Sequence, residues 1–294
     1  MSAKVGFVGL GIMGKGMLKN LATKMDGASF VIWNRSPDAC AEFKAAYPDQ
    51  VEIASCPADV VKNCDVTYSM LSTIAASEAV FDREGDGVIA GVSEGKIIVD
   101  CATFSAERMT AISDAVKAKG GKFMEAPVSG SKVPAEQGSL IFLCGGDEDV
   151  YGIAGPALDC MGKAKFYFGE IGSGSKMKLV VNMIMGTMLN SFTEGMELCD
   201  KAGLPQDKLL EVLNLGAMAN PMFQLKGKNI MAGKYDAHFP LKHAQKDMKL
   251  ALALADQLGC NLPTTSTSNA QYESMLETSG DEDFCAVMKS NKSK

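Results

Sequence analysis

The chain has 294 residues, about twice the length of an average domain, so a single small module is excluded. Its 29 Lys+Arg against 35 Asp+Glu leave a net charge of −6, so no basic field draws nucleic acid or an anionic membrane. With 47% apolar and 22% charged residues, the composition is that of a folding globular chain rather than a disordered one.

In chain order, an apolar run from Val5 to Val8 leads directly into Gly9-Leu10-Gly11-Ile12-Met13-Gly14, and Lys15 to Lys24 reads as a helix. Ser29 to Trp33 is a second strand. Ser36-Pro37 then offers a hydroxyl cap and a proline at the first position of the next helix. Further strands are expected at Val51–Ile53, Val66–Met70, Ile97–Asp100, Phe123–Ala126, Leu140–Cys144 and Phe166–Phe168, with helices such as Ser105–Lys119 between them. Such alternation predicts a Rossmann-type α/β domain, a mostly parallel sheet with helices on both faces. Beyond Phe168 the pattern turns helical, with helices expected at 175–201, 207–215, 241–258 and 264–276 and a frayed end from Lys289 to Lys294. The predicted organisation is a Rossmann domain over residues 1–172 and an all-α domain over 173–294, joined by a long interdomain helix of roughly 40 Å.

The nine cysteines are dispersed without a C-x-x-C, which points to reduced thiols rather than a disulfide or zinc framework. His238 and His243, the two histidines present, are five apart and fit no metal pair. No metal is expected. No run approaches the roughly 18 apolar residues of a membrane helix, and no export signal is recognisable, so a cytoplasmic protein is expected.

The glycine run sits where a dinucleotide turn belongs, between a strand and a helix. Gly9 serves the turn, Gly11 the approach of a pyrophosphate and Gly14 the packing of helix on sheet, with Leu10, Ile12 and Met13 completing the loop. At the end of the second strand an NAD site presents Asp or Glu to the ribose, whereas here stand Asn34, Arg35 and Ser36. Arg35 can bind a 2′-phosphate with a charged bond of about 1.5–3 kcal/mol, roughly ten- to hundredfold in favour of NADPH. Met70, Leu71 and Ser72 follow the fourth strand and Thr103 the fifth, on the edge where such sheets bind ligands. Ser129, Gly130 and Ser131 offer hydroxyls and backbone N–H groups to an anion. Lys178 and Asn182, four apart in Lys-Leu-Val-Val-Asn, share a helix face among apolar neighbours, where burial lowers an ammonium pKa toward the range of an acid–base catalyst. Lys246 and Asp247 form a second polar pair on the helix expected from Leu241.

Together, the glycine turn at 9–14, Pro-Val-Ser-Gly-Ser at 127–131, Gly-x-Gly-x-x-x-Lys-x-x-x-Asn at 172–182 and Lys246-Asp247 resemble the β-hydroxyacid dehydrogenases. Within that family, Asn34-Arg35-Ser36, Gly216 to Phe223 and Phe239-Pro240-Leu241-Lys242-His243 most resemble the NADPH-dependent glyoxylate/succinic semialdehyde reductases. The resemblance implies that Lys178 is the general acid and that Asn182 orients it. It also implies that Ser129, Gly130 and Ser131 hold a substrate carboxylate, that Phe239 and Asp247 close the site, and that Thr103 and Lys246 face the cofactor. The implied reaction reduces glyoxylate to glycolate and succinic semialdehyde to 4-hydroxybutyrate, in a homodimer or homotetramer. The rivals are a 3-hydroxyisobutyrate-type dehydrogenase and a catalytically silent NADP-binding scaffold. Two positions depart from relatives: Ala102 stands where many have Ser, and Val181 where the decarboxylating sugar-phosphate enzymes have His.

Overall fold

Strands buried on both faces need apolar residues on both sides, and the first strands supply them as near-continuous runs. A computed structural model describes residues 4–291. It places β1 at Lys4–Val8, α1 at Ile12–Lys24, β2 at Ser29–Trp33, α2 at Pro37–Ala46, β3 at Val51–Ile53, α3 at Pro57–Asn63 and β4 at Val66–Ser69. Then follow α4 (Ile74–Phe81), α5 (Val88–Gly91), β5 (Ile97–Asp100), α6 (Ala106–Lys117), β6 (Lys122–Glu125), β7 (Val128–Ser129), α7 (Lys132–Gln137), β8 (Leu140–Gly146), α8 (Glu148–Met161) and β9 (Gly162–Tyr167). The remainder is helical: α9 (Ser173–Lys201), α10 (Gln206–Leu215), α11 (Pro221–Met231), α12 (Leu241–Gln257), α13 (Pro263–Ser274), α14 (Leu276–Ser279) and a closing 3₁₀ segment, Phe284–Asn291.

The first six strands run parallel in the order β3-β2-β1-β4-β5-β6, and β8 turns antiparallel to β6 and β7. Alternation of side chains divides this sheet between two cores. Val5 and Phe7 of β1, Phe30 and Ile32 of β2 and Val99 of β5 pack with Leu18 and Leu21 of α1 and Leu158 of α8. Val8, Val31 and Ile98 face the other way, onto Val60 of α3 and Ile112 and Val116 of α6. Each fully buried side chain of this size contributes about 1.5–3 kcal/mol, which fixes the register of the strands.

The chain divides into two units, one up to Lys178 and the other from Leu179, so the boundary falls inside α9. The second unit has its own core, in which Leu189, Phe192 and Met196 of α9 meet Leu210, Phe223, Met248 and Tyr272. The Phe192 and Phe223 rings stack at 4.4 Å. Gly186 lets α12 approach α9, since a Cβ there would lie 2.7 Å from the Met248 sulfur. Among the described residues no helix is long and apolar enough to cross a membrane.

Three local expectations are corrected. The first helix starts at Ile12 rather than Lys15, so Met13 and Gly14 lie in its first turn. Ser36 occupies the N-cap of α2, with Pro37 behind it, yet its hydroxyl makes no capping bond. The chain end is not frayed as far as Asn291: Lys289 pairs with Glu282 at 2.7 Å and lies 4.5 Å over the Tyr235 ring. Residues 292–294 lie outside the described residues.

Candidate active site

The parallel strands of the first unit end in one row. Register pairs Trp33 with Val8, Val8 with Ser69, Ser69 with Asp100 and Asp100 with Glu125. The backbone N–H of each following residue continues the ladder: Gly9 donates to Trp33, Met70 to Val8, Cys101 to Ser69 and Ala126 to Asp100, all at 2.7–2.9 Å. The sheet therefore brings Gly9, Asn34, Met70, Leu71, Ser72, Thr103 and Ser129 to one carboxyl edge. The strand order reverses between β1 and β4, the switch point at which such sheets open a crevice for a dinucleotide.

The glycine loop fits a pyrophosphate. Gly9 sits at φ +98°, and a Cβ on Gly14 would lie 1.9 Å from the Gly9 carbonyl oxygen, so neither position admits a side chain. Gly11, by contrast, faces open space, with nothing within 4 Å of where its Cβ would be. It is the N-cap of α1 and no side chain caps that helix, so the first-turn N–H groups remain available to an anion. Ile12 is exposed beside it.

Asn34 has a place of its own in this loop. Its Oδ1 accepts from the Leu10 N–H at 2.9 Å and its Nδ2 donates to the Ser36 carbonyl at 3.0 Å, so it braces the glycine turn against the end of β2. Arg35 and Ser36 are exposed, and no ion pair engages Arg35 among the described residues. Ser129 and Ser131 are half-buried and Gly130 is exposed at φ +128°, where β7 gives way to α7. Thr103 is half-buried, and its neighbour Ala102 is fully buried.

Two buried carboxyls close this row. Burial pushes Asp100 up to about 7, against the opposing pull of the Ala102 N–H, which donates to its Oδ1 at 2.9 Å. Glu125, also raised chiefly by burial, accepts from the N–H of Gly174 at 2.9 Å and of Ser175 at 3.3 Å, and from the Ser175 hydroxyl. Those N–H groups belong to the first turn of α9, so a strand-end carboxylate caps the helix that carries Lys178, at the end where the helix dipole favours negative charge. Glu125 is not among the residues that the sequence singles out, because nothing local marks a carboxyl that acts on N–H groups 49 and 50 positions away.

In the first half of α9, two polar side chains lie inside and several apolar ones outside. Lys178 and Asn182 are 5% and 4% exposed, whereas Met177, Val180, Ile184 and Met188 are 37–48% exposed. The predicted pair therefore shares the buried face. In the helical unit, Asn182 Nδ2 donates to Asp247 Oδ2 at 2.5 Å, and Lys246 Nζ lies 3.0 Å from Asp247 Oδ1. Three residues singled out in two distant stretches are thus joined, by α9 and α12. Burial, followed by the charge of Lys246, holds His243 on the same helix below its ordinary pKa. Phe239 is half-buried just ahead of α12, its ring 5.4 Å from that of Phe284.

This fold and this carboxyl edge define a dinucleotide-binding protein. The profile described as the NAD binding domain of 6-phosphogluconate dehydrogenase matches residues 4–169, and that described as NAD-binding of NADP-dependent 3-hydroxyisobutyrate dehydrogenase matches residues 172–290. The chain belongs to the β-hydroxyacid dehydrogenase family of NAD(P)-dependent oxidoreductases. It is 46% identical to glyoxylate/succinic semialdehyde reductase 1 of Arabidopsis thaliana over 98% of both chains. It is 41% identical to the cytokine-like nuclear factor N-PAC of Anopheles gambiae over 92% of this chain but 47% of that longer protein. Among solved structures, 3-hydroxyisobutyrate dehydrogenase of Salmonella typhimurium superposes with a TM-score of 0.88 at 26% identity, covering 98% of this chain and 99% of the other.

Proposed function

We propose that this chain is an NADPH-dependent reductase of small aldehydes that carry a carboxylate, glyoxylate and succinic semialdehyde among them. The observation that carries the reading is the burial of Lys178 and Asn182 one turn apart on α9, because a lysine is rarely buried in a core without a task. The identity to a plant glyoxylate/succinic semialdehyde reductase along nearly the whole chain supports the substrate class.

In this reading Gly9, Leu10, Gly11, Ile12, Met13 and Gly14 with the first turn of α1 hold the pyrophosphate, and Arg35 and Ser36 hold the 2′-phosphate. Met70, Leu71, Ser72, Thr103 and Lys246 contact the rest of the cofactor, and Asn34 keeps the glycine loop in shape. When bound, the nicotinamide supplies a hydride to the carbonyl carbon. Lys178 donates a proton from Nζ to the carbonyl oxygen, which neutralises the developing alkoxide, an effect worth roughly 10² to 10⁴ in rate. Asn182 orients Lys178 and the substrate. Ser129, Gly130 and Ser131 receive the substrate carboxylate through hydroxyl and N–H groups, and Phe239 and Asp247 complete the substrate contacts.

The protein in this reading is cytoplasmic and works as a homodimer or homotetramer. All nine cysteines are unpaired, which suits a reducing compartment, and the exposed apolar stripe on α9 suits self-association. A second reading, oxidation of 3-hydroxyisobutyrate, draws on the likeness to the Salmonella structure. The exposed Arg35 after β2, where a carboxylate would select NAD, weighs against its NAD-dependent form. Steady-state assays of glyoxylate, succinic semialdehyde and 3-hydroxyisobutyrate with NADP(H) and NAD(H) test the proposal. Aldehyde reduction with NADPH preferred is expected, and turnover confined to 3-hydroxyisobutyrate with NAD overturns it.

A further inference from the structure

Phe239 lies in the irregular segment between α11 and α12, so neither helix fixes it. A buried ion pair does. Asp283 is fully buried, and its Oδ2 accepts from the backbone N–H of His238 at 3.1 Å and of Phe239 at 3.2 Å. Its Oδ1 accepts from the Cys285 N–H at 3.2 Å. Lys226 of α11, itself 4% exposed, donates to both oxygens at 2.7 and 2.8 Å. Backbone bonding reinforces the tie: Phe284 N–H donates to the Phe239 carbonyl at 2.9 Å, and Pro240 and Asp283 form an antiparallel bridge. Lys226 Nζ also stands 5.1 Å over the Phe284 ring, which in turn meets the Phe239 ring edge-on.

A buried ion pair is a poor source of stability, because desolvating two charges costs about what their attraction returns. What such a pair supplies is position. One oxygen gathers two successive N–H groups, so the backbone at 238–239 has one place to be, and α11 anchors that place through Lys226.

We propose that Lys226 and Asp283 are positioning residues for the substrate contact of Phe239, setting how tightly the aldehyde is held while leaving proton and hydride transfer to other groups. The proposal rests on the reading of Phe239 as a substrate-binding residue. It also predicts a selectivity. Succinic semialdehyde has a methylene chain for an aromatic ring to meet and glyoxylate has none, so loosening the segment weakens the longer substrate more.

The test uses the whole protein and the double variant Lys226→Met with Asp283→Asn, which removes both charges together and keeps their volumes. Hydrogen exchange across residues 236–241 is expected to rise locally, with the melting profile cooperative. KM for succinic semialdehyde is expected to rise about tenfold, with kcat within about twofold and a smaller rise for glyoxylate, the pattern of lost substrate binding rather than lost chemistry. Unchanged KM values despite faster exchange, or a fall in kcat at unchanged KM, overturn the proposal. If the double variant does not fold, Lys226→Met alone, which leaves Asp283 its three N–H donors, is judged by the same criteria. Phe239→Ala separates the two levels: unchanged KM there refutes the substrate reading of Phe239. A rise there without one in the pair variants refutes only the positioning role. In the Phe239→Ala background the pair substitutions are expected to add nothing further, and a full multiplicative effect contradicts action through Phe239.

Discussion

Asn182 donates a hydrogen bond to the Asp247 carboxylate, and both side chains are buried, 4% and 2% exposed. The contact joins α9 to α12 across 65 positions of sequence and places an amide beside a carboxylate that also pairs with Lys246. It gives Asn182 a fixed orientation one turn beyond Lys178.

Asn182→Asp sets a second carboxylate within hydrogen-bond distance of Asp247. Two such acids resist ionising together, so one keeps a proton into the neutral range, with Lys246 easing the repulsion in part. The expected result is aldehyde reduction lowered by about 10² near pH 8 and recovering as pH falls toward about 5. The pH–rate profile checks it, and a loss that is constant with pH contradicts it.

Arg35→Asp replaces an exposed cation after β2 with the carboxylate that repels a 2′-phosphate. The preference for NADPH over NADH is expected to fall by about ten- to hundredfold. Fluorescence titration with both cofactors measures it.

Gly11→Ala and Gly14→Ala are expected to part company. An added Cβ at Gly14 collides with the Gly9 carbonyl, so that variant loses several degrees of Tm together with its cofactor affinity. At Gly11 the Cβ meets no protein atom, so Tm holds while NADPH binding weakens by about tenfold or more. Thermal melts with and without NADPH distinguish the two.

Asp100 bears on stability against pH. Its carboxyl titrates near 7 in the fold and at 3.8 in the open chain, so between those values the folded protein keeps a proton that the unfolded one has lost. Stability from this group is therefore greatest below about pH 4, declines as pH rises toward 7 and stays low above it. Asp100→Asn is expected to raise Tm by several degrees near pH 8 and by little near pH 4.5, read from melts across that range.

Much of the α/β half was legible because β1, β2 and β5 are apolar on both faces and the glycine turn follows β1 directly. The edge was harder. β9 begins at Gly162 in a polar stretch, Gly-Lys-Ala-Lys, which an edge strand bonded to β8 alone tolerates. Helix α11 went unread although Asn220-Pro221 is a cap followed by a first-position proline, and Asn220 does accept from the Phe223 N–H at 2.9 Å. At the candidate site, the glycine loop was legible in its strand–turn–helix spacing, whereas spacing gave Lys178 and Asn182 only a shared helix face and their proposed roles came from the resemblance to the β-hydroxyacid dehydrogenases. Glu125 on the N-terminus of α9, Asn34 bracing Leu10 and Asp283 holding Phe239 could not be read locally, because each acts through a backbone group between 24 and 50 residues away.

Lys178 is the proposed proton donor of the reductase, and single-turnover and steady-state reduction of succinic semialdehyde by Lys178→Ala at saturating NADPH tests that role most directly. The expected result is a kcat lowered by about 10² or more with NADPH affinity unchanged, whereas a loss below about tenfold contradicts Lys178 as the proton donor.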